Sequence, residues 1–410
     1  MRLSSAVLRA ALALALPFSG CASAPEAPPA PPVAKQLVGT PNPMLPFSPA
    51  IKTGGFVYTS GQLGLSRDKP GADIKAQTRA ALEAVDALLK AGGSSLARAA
   101  SVTVFLKNAA DVAAMNEVYA GYFTSEPPAR TTVIVEALAA PEALVEVAAI
   151  GIVEGAERSV ILPAGWKPQA AYSYAIKSGN TLFLAGLIAR DGRTGAPVPG
   201  DIAAQTRTAM DNGAEILKAA GMSHGDVVQS RVWYDAENNR ELNPVYSSYF
   251  AGVAPPVRAA VRARPPGDYL VEISMVAVKD PTRTRIVPPN ADGTPGTVRP
   301  GAFLSAGIKV GNTLYLSGVL GVKRGQNEGD IRSQTTTTLD NIERTLKAAG
   351  FGWNDLVDAL VYINDIAGFQ EMSSIYKEYL MAKGVTALPV RSTIGVGLGG
   401  EVEIMFTAVK

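Results

Sequence analysis

Leu144-Val145-Glu146-Val147-Ala148-Ala149-Ile150 is a β run that is apolar on both alternating faces and carries one carboxylate in its middle. A strand of that kind needs cover on both sides. A Glu enclosed by apolar neighbours is also a candidate general acid or base. The run occurs three times, the second copy reading LVEISMV around Glu272 and the third EVEIMFTAV around Glu403. Pro-Ala-Arg130, Pro-Val-Arg258 and Pro-Val-Arg391 precede these glutamates by 12 to 16 residues. An Arg fork can hold a carboxylate bidentately. The chain therefore offers up to three similar sites for a small carboxylate-bearing metabolite. The alternative is three structural ion pairs. Buried pairs stabilise no better than apolar packing, so keeping one in every copy favours a ligand role.

The repetition extends well beyond these residues. Asp73-Ile74-Lys75-Ala76-Gln77-Thr78 recurs from Asp201 to Thr206 and from Asp330 to Thr335, each time opening a predicted helix with an Asp cap. Those helices stop at Lys90-Ala91-Gly92, Lys218-Ala219-Ala220-Gly221 and Lys347-Ala348-Ala349-Gly350, where a basic last turn is followed by Gly. An Ile-Lys-x-Gly hairpin precedes each helix, at Gly54, Gly179 and Gly311. A second helix carries Tyr119, Tyr246 and Tyr376 at matching positions, read as core. Each copy is an α+β unit, a mixed sheet covered on one face by two helices. Sister sheets cover the other faces, in three domains around a pseudo-threefold axis. The predicted divisions are 46–155, 168–280 and 300–410, with Pro-rich joints near 155–168 and 280–300.

Composition removes other chemistries. The 410 residues hold 38 basic and 36 acidic side chains, a poor footprint for nucleic acid. One Cys and one His exclude the usual Cys/His zinc sites and a His triad in every copy. His224 is expected in a solvated loop. No metal and no cofactor are expected. At the N-terminus, Arg2 and Arg9 precede a short apolar run, Ala10–Leu16, which is followed by Phe18-Ser19-Gly20-Cys21. This predicts a signal peptide over 1–21, with Cys21 the lipidated residue of a lipobox-like site. The chain is then exported and lipid-anchored to the bacterial cell envelope, with the outer membrane favoured. Residues 22–45, rich in Ala and Pro, read as an extended tether without a core.

Thr59-Ser60-Gly61-Gln62, the Ala-Gln-Thr helix start, the Lys-Ala-Ala-Gly helix end, Pro-Ala-Arg130 and Val145-Glu146-Val147, repeated in one order, resemble the RidA/YjgF family of enamine/imine deaminases. The resemblance spans 46–410 as three tandem RidA-like, chorismate-mutase-like domains. It implies a homotrimer replaced by a monomeric pseudo-trimer, with clefts between neighbours that need no cofactor. By this resemblance the carboxylate-binding Arg falls on Arg130, Arg258 and Arg391, and the water-activating Glu on Glu146, Glu272 and Glu403. The cleft Tyr falls on Phe47, Tyr172 and Leu304, and the cleft Asn on Asn116, Asn243 and Ser373. The Ser falls on Ser60, Ala185 and Ser317. The following Gly61, Gly186 and Gly318 are expected to help hold ligand through backbone N–H groups. Thr132, Ala260 and Thr393 stand where the family has Cys. The implied reaction is hydrolysis of 2-imino acids or 2-aminoacrylate-type enamines to 2-keto acids and ammonium. The alternative is a non-catalytic binding protein for small keto or imino carboxylates.

Overall fold

The structure is a computed structural model that describes residues 35–65, 71–237, 239–322 and 329–410. The predicted signal peptide and Cys21 lie outside the described residues, as does most of the predicted tether.

Each copy builds one mixed sheet. In the first, strands run in the order Gln36–Val38, Ala50–Thr53, Phe56–Thr59, Val145–Ile152, Ala99–Leu106, Ala129–Ile134. The last two are parallel, which places the Arg strand and the Glu strand on either side of Ala99–Leu106. The second and third sheets repeat this order, with Glu on Val271–Val278 and Val402–Val409 and Arg on Val257–Arg262 and Val390–Gly395. Ile74–Ala91, Ile202–Ala219 and Ile331–Ala348 are the long helices. Their capping Asp carboxylates accept from the N–H three residues on, at 2.8 Å in each copy. The recurrent Gln of the same motif does a separate job. Gln77, Gln205 and Gln334 each accept from a backbone N–H just before or at the start of the Glu strand, those of Leu144, Leu270 and Glu401. The motif therefore ties the helix start to the strand that carries the carboxylate.

Four expectations are corrected. The tether is not free of structure to residue 45. Gln36–Val38 pairs with Ala50–Thr53, Val38 is buried, and Lys35 Nζ donates to Leu356 and Ala387 carbonyls of the third copy. The Pro-rich joints hold the equivalent edge strands, Ser159–Ile161 and Thr284–Ile286. These three-residue strands are too short to show a period in sequence. In the first copy the left-handed stop is Gly93 (φ +79°), in register with Gly221 and Gly350, whereas Gly92 stays in the right-handed region. His224 is not a solvated loop residue. It begins a short 3-10 turn and packs half-buried against the rings of Tyr249 and Phe250, 5.2 and 5.6 Å away.

The sheet faces away from the helices meet in one shared apolar core drawn from all three copies. At its centre lie Phe105, Trp233 and Tyr362, the seventh residues of three equivalent strands. The Trp233 ring is 5.9 Å from Phe105 and 5.7 Å from Tyr362, edge to face in both cases. Each of these aromatics is also the cross-strand partner of a site glutamate: Phe105 of Glu146, Trp233 of Glu272 and Tyr362 of Glu403. The hub therefore fixes the strands from which the carboxylates project. Trp233 is fully buried. Trp233→Ala should lower stability by roughly 3–5 kcal/mol, measured by denaturant titration of the full-length chain.

Candidate functional site

The first sequence pairing of Arg and Glu is within each copy, but the sheets set them in trans. Arg130 faces Glu272 of the second copy, Arg258 faces Glu403 of the third, and Arg391 faces Glu146 of the first. The order closes on itself. The backbone fixes it with one contact used three times: the N–H of Gly186 donates to the Arg130 carbonyl at 3.0 Å, that of Gly318 to Arg258 at 3.2 Å, and that of Gly61 to Arg391 at 3.1 Å. The glycine N–H groups are thus engaged by the protein and do not serve the ligand role expected of them. Gly is required here for space. A Cβ on Gly61, Gly186 or Gly318 would stand 1.7, 1.7 and 1.8 Å from Oε1 of Glu146, Glu272 and Glu403.

Ser60 and Ser317 are buried supports of the same contact. Their hydroxyls donate to the Ser48 and Ser305 carbonyls and accept from the backbone N–H of Arg391 and Arg258. Ala185 makes no such bond in the second copy, which leaves the Arg130 segment without this pin.

The guanidinium groups lie on aromatic rings. Tyr119, Tyr246 and Tyr376 stand 4.6, 4.8 and 5.2 Å from Arg130, Arg258 and Arg391. These tyrosines are core residues, as expected, but they also position the arginines; their shared place in all three copies was the available signal. Asn116, Asn243 and Ser373 sit one helical turn earlier on the same face. Asn243 Oδ1 accepts from Arg258 Nη2 at 2.7 Å and Ser373 Oγ from Arg391 Nη2 at 2.9 Å. The partner domain adds a second ring: Tyr172 over Arg130, Phe303 over Arg258 and Phe47 over Arg391. Phe303, not Leu304, fills this place in the third copy, since sequence register did not reveal which neighbour turns inward.

The three clefts are unequal. Arg258 and Arg391 are 3% and 2% exposed, and burial lowers both guanidinium pKa values, that of Arg391 to about 10. Phe369 adds a third ring against Arg391, 5.6 Å away. Arg130 is half-buried and opens into a cavity of about 640 Å³ between the first and second copies. Asn116, Thr132, Tyr172, Gly186 and Glu272 share its lining. Four polar atoms here are buried without a hydrogen-bond partner in the protein: Asn116 Oδ1, Arg130 Nη1, Thr132 Oγ1 and Glu272 Oε2. Glu272 Oε1 accepts from the Thr132 N–H at 3.2 Å. The other carboxylate oxygen is thereby left for chemistry.

Burial dominates the glutamate ionisation. It raises Glu146 to about 7, against hydrogen bonds from Ser392 and Thr393 and the Arg391 charge. It raises Glu272 and Glu403 to about 8, against the charges of Arg130 and Arg258. No ion pair closes between these arginines and glutamates among the described residues, which argues against a purely structural pair. A carboxyl raised in the folded state retains a proton that the unfolded chain has lost. Each of the three should therefore weaken the fold as pH rises from about 4.5 to 7–8. Changing all three Glu to Gln should flatten this slope in denaturation measurements at pH 5 to 9.

The model of the Endoribonuclease L-PSP family matches residues 39–153, 164–279 and 297–410. A RutC family protein of Pyrococcus horikoshii is 46% identical over 116 residues, 28% of this chain and 91% of that protein. The 3-aminoacrylate deaminase RutC of Acinetobacter baylyi is 42% identical over 115 residues, 27% of this chain and 90% of that protein. The crystal structure of the YjgF gene product of E. coli is 32% identical, with a TM-score of 0.28, over 30% of this chain and 99% of that chain. With one sheet-and-helix unit under each of three consecutive matches, the chain belongs to the Endoribonuclease L-PSP family as three tandem copies in a single polypeptide.

Proposed function

We propose that the chain is an imine/enamine deaminase whose working centre is the cleft of Arg130 and Glu272. The observation that carries this reading is the convergence of Arg130 Nη1, Asn116 Oδ1, Thr132 Oγ1 and Glu272 Oε2, all without protein partners, on one open cavity. Arg130 takes the substrate carboxylate and so orients the neighbouring C=N carbon. Glu272 Oε2 removes a proton from a water that attacks this carbon; the proton is returned to nitrogen as the C–N bond breaks. The balance is 2-iminium acid plus water to 2-keto acid plus ammonium. A carboxylate that titrates near 8 is well matched to both transfers at neutral pH. The curated deaminase among the relatives supports this class of reaction. Against the family's ribonuclease label stand a nearly balanced charge and a lone His224 packed away from this cleft.

The buried, ring-stacked Arg258 and Arg391 favour a second reading for their own clefts, as binding or structural sites without turnover. Imines made in situ by an amino-acid oxidase, with keto-acid release as readout, separate the cases. Arg130→Ala should abolish turnover. Glu272→Gln should spare 2-keto acid binding and lower kcat by about 10²–10⁴. Wild-type kcat/KM should rise with pH through about 8, because the base form of Glu272 is the active one. Glu146→Gln and Glu403→Gln should change the rate little. Parental turnover in Glu272→Gln would overturn the assignment; keto-acid binding with no turnover in the parent would leave a binding protein.

The cyclic contacts between the copies support a monomeric pseudo-trimer. Light scattering of the full-length chain, corrected for detergent, should give one chain mass, and a stable trimer of chains would refute it.

A further inference from the structure

The open cleft contains a second arginine that the proposed deamination does not use. Arg190 lines the same cavity as Arg130, and Tyr172 feels both positive charges. Arg190 Nε donates to the Tyr269 hydroxyl at 3.3 Å, and its guanidinium lies 5.9 Å from the Tyr269 ring. It forms no ion pair with a carboxylate among the described residues. The two carboxylates lining the cavity do not neutralise it. Glu272 is held by the Thr132 N–H beside Arg130, and Glu117 is bound to Lys75 Nζ at 2.6 Å.

The sister copies show that this arginine is not part of the fold's requirement. Four residues after the glycine of the Gly–Arg contact, the first and third copies carry Leu65 and Val322 in place of Arg190. Three residues before the site glutamate, they carry Ala143 and Gly400 in place of Tyr269. Both members of the Arg190–Tyr269 pair therefore occur together, and only in the copy that completes the open cleft. A half-buried guanidinium held at one nitrogen by a phenol keeps its other donors for an anion.

We propose that Arg190, positioned by Tyr269, binds a second carboxylate, so that this cleft selects 2-imino and 2-keto dicarboxylates over their monocarboxylate counterparts. Arg130 holds the carboxylate next to the reacting carbon and Arg190 the distal one. The substrate class rests on the deaminase reading, but the second carboxylate site does not need turnover.

Binding is therefore the test. Isothermal titration of the full-length chain would compare oxaloacetate and 2-oxoglutarate with 2-oxopentanoate. The wild type should bind at least one dicarboxylate roughly tenfold or more tightly than the monocarboxylate. Arg190→Leu, the residue of the first copy, should remove that preference by weakening the dicarboxylates selectively. Arg190→Lys should restore part of it. Equal binding of both classes by the wild type, or equal weakening of both by Arg190→Leu, would overturn the proposal. So would a dicarboxylate preference that survives Arg190→Leu, which places it elsewhere. A preference present without any imine turnover would uphold the second carboxylate site while removing the deaminase reading.

Discussion

The approach of one glycine to its neighbour's arginine is the contact on which the rest of the arrangement depends. Gly186 donates its N–H to the Arg130 carbonyl and at the same time leaves its Cα face to the Glu272 carboxylate. One backbone contact thus joins two domains, sets the arginine against the glutamate, and excludes any side chain from the space between them. Gly61 and Gly318 repeat it at the other two junctions. The aromatic hub of Phe105, Trp233 and Tyr362 acts from behind, since each ring is the cross-strand neighbour of one site glutamate. Packing at the axis and geometry in the clefts are therefore two ends of the same strands.

Joining the copies in one chain releases them from identity. In an assembly of identical chains a substitution enters every cleft, whereas here it enters one. The first cleft keeps Asn116, Thr132, Tyr172 and Glu272 around an accessible Arg130 and adds Arg190 and Tyr269. The second has Ala260 where the first has Thr132, and stacks Phe303 on its arginine. The third surrounds its arginine with Phe47, Phe369 and Tyr376. A buried, ring-covered cation still joins domains and fills volume. Two of the three clefts can therefore hold the structure together while the first stays open.

Burial also explains how one residue type serves two ends. A glutamate in this setting weakens the fold at neutral pH because its charged form is desolvated. The same desolvation brings it into the range where it can accept and return a proton.

The sequence by itself determined the threefold repetition, the strand–helix order, the Asp caps and the identity of the arginine and glutamate. Each of these is recorded in local pattern: alternation in strands, helical spacing, and residue types kept at matching places. Even the need for cover on the second sheet face was legible, because Val145 to Ile150 is apolar on both sides. Only the tertiary structure decided which Arg meets which Glu, because pairing across domains leaves no spacing signal along the chain. It also decided that the glycine N–H groups serve the arginine carbonyls, that Phe303 rather than Leu304 turns inward, and that the first cleft is open. Arg190 was invisible as a site residue for the same reason. Its meaning comes from the cavity it shares with Arg130, and a cavity exists only between surfaces already brought together.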